Sequence, residues 1–162
     1  MSFSTELELS LNELRKAYQA AVENADLADR LWKRIRRFRQ EEGIYVAYKA
    51  ATRILLANFS WAPLTKLAYV KEAMSLFRKA VQLDPENPEI RFLRYSIQHS
   101  LPAYLNEARD MPADKALVLS KWTDYEAFAL RQEDLKEMLD FFRRSGRFTH
   151  AELKELSGVI SD

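Results

Sequence analysis

The chain has 162 residues, of which 48% are hydrophobic and 30% charged, the make-up of a globular protein long enough to bury about 70% of the surface its unfolded form exposes. Lysine and arginine number 25 against 24 acidic residues, a net charge of +1, so no global field draws the protein to nucleic acid or an anionic membrane and any charge-driven binding has to be local. The absence of cysteine excludes disulfides, thiolate nucleophiles and cysteine-ligated metals, which fits a reducing compartment.

The N-terminal MSFSTELELSLNEL is acidic where a secretory leader needs a basic start and an unbroken apolar run. No window approaches the roughly 18 apolar residues of a membrane span. A cytoplasmic protein is expected. Its first helix is expected over residues 4–24, with Leu7, Leu11, Leu14, Tyr18, Ala21 and Val22 on one face and a capping box from either Thr5/Glu8 or Ser10/Glu13. A second helix, residues 26–40, packs Leu27, Leu31, Ile35 and Phe38, with Gly43 supplying its left-handed stop. A third covers residues 44–58. The runs IYVAY and ALVLSKW are the best strand candidates, but both sit in helical context.

After the SWAPL loop a fourth helix spans residues 64–83. A turn at Asp84, Pro85 and Glu86 follows, and a fifth helix restarts with Asn87 as N-cap and Pro88 at the first helical position. That helix loses continuity near Pro102, and Pro112 opens the next segment. Thr123/Glu126 and Thr149/Glu152 offer further capping boxes, and Gly146 separates EDLKEMLDFFRRS from a last short helix.

Ala73, Phe77, Ala80 and Pro85 fall at the spacing of a closely packed second helix and its closing proline. This segment, residues 73–88 with the DPENPE junction, resembles the second half of a tetratricopeptide repeat. The family's first-helix positions fall on Ala57, Ser60, Trp61 and Leu64, which do not match. The segment from LLANFSW to RYSIQ also resembles small bacterial proteins of Bacteroidetes type, which implies no activity. The expected fold is all-α: one domain over residues 1–162, an irregular tetratricopeptide-like bundle of antiparallel hairpins with about seven or eight helices.

Catalytic equipment is sparse. His99 and His150 are separated by fifty intervening residues with no metal-ligand spacing, and no HExxH, GxSxG or glycine-rich phosphate loop occurs. Glu133, Glu137 and Asp140 share a helical face, which is more simply a solvated row than an acid–base set. No catalytic residue, metal or cofactor is expected. Two binding readings follow instead. In the first, a non-enzymatic interaction module takes a protein or peptide on a helical face lined by Tyr45, Tyr48, Lys49, Thr52 and Arg53 with Arg91, Arg94, Tyr95 and Gln98, where aromatics and guanidinium groups suit an acidic segment. The competing reading places those tyrosines in the core, and self-association into a homo-oligomer stays open. In the second, Arg30, Lys33, Arg34, Arg36, Arg37 and Arg39, interleaved with Trp32 and Phe38, bind phosphate of nucleic acid or an anionic surface, although flanking Glu23, Asp26, Asp29, Glu41 and Glu42 and the balanced net charge argue against it.

Overall fold

A computed structural model describes residues 9–38, 42–105 and 108–162. Among these the chain is all-α, with eight α-helices and three short 3₁₀ segments. It gathers into two compact units, residues 1–85 and 86–162. Each has its own buried apolar side chains.

The first unit holds α1 (Leu11–Ala21), α2 (Ala25–Ile35), α3 (Gly43–Phe59) and α4 (Pro63–Leu83). Of the two possible boxes for α1, Ser10 caps: its hydroxyl accepts from the Glu13 N–H at 3.2 Å. Thr5, Leu7 and Glu8 lie outside the described residues. The Asn24 side chain caps α2 through the Leu27 N–H at 3.1 Å. Gly43 is not the stop of α2, which ends at Ile35. It is instead the buried first residue of α3.

Twelve of the 17 residues of α3 are buried, because its sequence is apolar on nearly every side and α1, α2 and α4 all pack against it. The pair α3–α4 is the most extensive in this unit. On α4 the buried residues are Val70, Ala73, Phe77 and Ala80, so the small and aromatic side chains singled out for close helix packing are the ones removed from water.

The second unit holds α5 (Pro88–Ser100), α6 (Met111–Lys121), α7 (Gln132–Ser145) and α8 (His150–Ser157). Asn87 caps α5, its side-chain oxygen accepting from the Glu89 N–H at 2.9 Å and the Ile90 N–H at 3.4 Å. The helix ends just before Pro102, and α6 begins with Pro112 in its first turn. Both strand candidates are helical, IYVAY within α3 and ALVLSKW across α6 into the 3₁₀ segment Trp122–Phe128. Thr123 therefore caps nothing: it lies inside that segment, whose end is set by Ala129 in the left-handed region at φ +56°. Gly146 closes α7 at φ +68°, and Thr149 with Glu152 forms a complete capping box on α8. The core joins Tyr95, Val118, Trp122, Leu135, Met138, Phe142, Phe148 and Leu156.

Candidate functional site

The residues expected to form one Tyr/Arg face are mostly structural. Tyr45 is buried, donates its hydroxyl to the Leu9 carbonyl at 3.1 Å and packs its ring on Phe38. Tyr48 is buried with its ring edge against Tyr18. Thr52 is buried and bonds back to the Tyr48 carbonyl at 2.7 Å, and the Lys49 ammonium donates to the Phe38 carbonyl. Three helices, α1, α2 and α4, pack against α3 around these side chains.

Across the unit boundary the outcome is similar. Tyr95 is a core side chain among Phe141, Phe142 and Phe148. Arg94 is buried and grips the fully buried Asp114 with two bonds of 2.8 and 2.7 Å, while Arg91 reaches the same carboxylate at 3.2 Å and Gln98 donates to Asp110. Burial draws the Arg94 guanidinium down, but the hydrogen bonds and charge of Asp114, with Asp110 behind it, outweigh that and hold it above its ordinary value. Two arginines expected to meet a ligand thus neutralise a buried carboxylate.

The remaining member, Arg53, has a different setting. Three helices of the first unit converge on a cleft of about 510 Å³. At spacings of three and four residues α2 and its C-cap contribute Asp29, Trp32, Lys33 and Arg36, α3 contributes Arg53, Leu56 and Phe59, and α4 contributes Thr65 and Tyr69. The Arg53 guanidinium carbon lies 4.4 Å from the Trp32 ring centre and 3.8 Å from that of Tyr69. Its Nε donates to Glu72 at 2.7 Å. A guanidinium is weakly hydrated and stacks well on aromatic faces, so this one is fixed in place with only 17% of its side chain exposed.

Of the basic run, Arg30, Lys33, Arg34, Arg36 and Arg37 are all exposed, while Phe38 is core and Arg39 lies outside the described residues. Lys33 pairs with Asp29 one turn away at 2.8 Å, a contact between two largely exposed groups. Lys33 and Arg36 border the cleft. The site therefore draws one residue from the first expected set and two from the second. Tyr69 carried no signal of its own; the signal for Arg53 was a charge in the strongly apolar run IYVAYKAATRILLANF, where Lys49 is its only charged companion.

No protein-family model, curated protein or solved structure matches the chain. Among the described residues no helix is long and apolar enough to cross a membrane, and no group of His, Asp and Glu side chains is placed to hold a metal ion.

Proposed function

We propose that the protein is a non-enzymatic interaction module whose first unit captures a carboxylate-bearing peptide segment of a partner protein in the cleft over Arg53. The observation that carries this reading is the guanidinium held between Trp32 and Tyr69. A guanidinium packed over two aromatic rings still has N–H donors for ligands, and having little rotamer freedom left to lose it binds a carboxylate at a lower entropic cost. Lys33 and Arg36 on the rim steer the same charge inward. Charge is also unevenly divided: residues 1–85 carry 14 Lys and Arg against 10 Asp and Glu, whereas residues 86–162 carry 11 against 14. Glu72, on the Nε of Arg53, acts in this reading as the resident carboxylate with which the ligand competes.

Fluorescence anisotropy of a labelled hexaglutamate peptide tests it. Arg53→Gln should weaken binding about tenfold or more, the loss of a charge-assisted bond. Glu72→Gln should tighten it, since a competitor and a negative charge are removed. Equal affinity across wild type and both variants would refute the cleft as the binding site.

A second reading has one observation in its favour, the exposure of Arg30 and Arg34 on α2 and of Arg37 just past its end. Phosphate binding there would weaken steeply with salt and respond to Arg34→Glu plus Arg37→Glu but not to Arg53→Gln, which a titration with a short DNA duplex distinguishes.

A further inference from the structure

Among the described residues of the first unit, the two most exposed large apolar side chains lie between two residues that line this cleft. Trp61 is 98% and Leu64 81% exposed. Ser60, at the end of α3, and Thr65, in the first turn of α4, both line the cleft, and Trp61 and Leu64 lie in the short stretch of chain between them. The connection is held in shape: the Ser60 N–H donates to the Ala57 carbonyl, the Ser60 hydroxyl accepts from the Ala62 N–H at 3.3 Å, and Pro63 begins α4 with its φ fixed by the ring. Neither Trp61 nor Leu64 contributes burial to the fold. A tryptophan left almost wholly in water beside a recessed cation has the composition of a binding hot spot before its partner arrives.

We infer that Trp61 and Leu64 are the apolar anchor of the docking surface and that its occupant is an acidic peptide which also carries a large apolar side chain. The inference rests on the cleft reading and adds the second half of the ligand. Charge complementarity selects the acidic component, since Arg53, Lys33 and Arg36 outnumber Asp29 and Glu72 there. A recessed guanidinium, 17% exposed at the side chain, is reached by a protruding carboxylate side chain more readily than by a plane of lipid headgroups, which favours a peptide over a membrane.

The test uses the whole chain and three probes: hexaglutamate, the same peptide with phenylalanine at two positions, and phosphatidylcholine vesicles with and without phosphatidylglycerol. Wild type should bind the phenylalanine-containing peptide about tenfold tighter than hexaglutamate, the effect of burying one such side chain. Trp61→Ser combined with Leu64→Ser should erase that advantage while leaving hexaglutamate affinity and the thermal midpoint unchanged. If hexaglutamate binds through Arg53 but phenylalanine adds nothing, or the double variant keeps the advantage, the anchor is refuted and the cleft reading stands. Failure of both peptides to bind removes both. Binding to anionic vesicles that depends on Trp61, without peptide binding, overturns the inference in favour of a membrane-facing surface.

Discussion

Asp114 is the side chain on which the second unit's polar interior depends. Fully buried, it accepts from Arg94 twice and from Arg91 once, and removing it leaves cationic groups in a low-dielectric interior. Asp114→Ala should cost about 3–5 kcal/mol in urea unfolding, whereas replacing Asp114, Arg91 and Arg94 together with apolar residues of similar volume should recover most of that loss. Ala129 makes the opposite case. A non-glycine residue at φ +56° carries a steric penalty that glycine lacks, partly offset by glycine's greater unfolded-state freedom. Ala129→Gly should therefore stabilise by roughly 0.5–1 kcal/mol, seen as a rise in thermal midpoint; a fall would show that the alanine methyl matters more than its strain.

For the helices, punctuation was the readable part of the sequence. The Asn87–Pro88 start, the Gly146 stop and the Thr149/Glu152 box each work through a local hydrogen bond or a local φ, and all three are where the residues place them. Contacts between helices were legible only where amphipathic spacing was unambiguous, as in Ala73, Phe77 and Ala80. The sequence left open whether Tyr45 and Tyr48 face a groove or the core, because periodicity on one helix does not say how many neighbours pack against it, and α3 has three.

The junction before α8 carries a pH dependence of definite sign. Arg147 Nε donates to His99 Nδ1 at 2.9 Å, and burial, then the Arg147 charge, hold the imidazole below its ordinary 6.5. The backbone N–H of Thr149 and then the Lys115 ammonium keep Glu152 below its ordinary 4.5. In both cases the unfolded chain binds protons first, so stability is fully present above pH 6.5 and falls as pH drops, with a further loss setting in below 4.5. Urea midpoints followed by far-ultraviolet circular dichroism should decline over that range. His99→Phe, which keeps the ring contact with Phe141, should remove the upper part of the decline, and a wild-type curve that rises on acidification would contradict this assignment.

At the scale of the molecule, a nearly neutral chain conceals an excess of basic residues in one compact unit and of acidic residues in the other. The basic unit holds the clamped guanidinium. Salt should therefore weaken hexaglutamate binding, since the rim charges of Lys33 and Arg36 are exposed, while the recessed Arg53 contact is screened less. Lys33→Glu plus Arg36→Glu should flatten that salt dependence, and an unchanged slope would remove the rim from the binding surface. The most direct measurement is a ¹H–¹⁵N NMR titration of the whole chain with hexaglutamate. The Nε–H of Arg53 and the indole N–H of Trp32 should shift first and saturate together, and Arg53→Gln should abolish the Trp32 shift. Shifts confined to the second unit, or Trp32 shifts that persist without Arg53, would contradict the cleft as the site of capture.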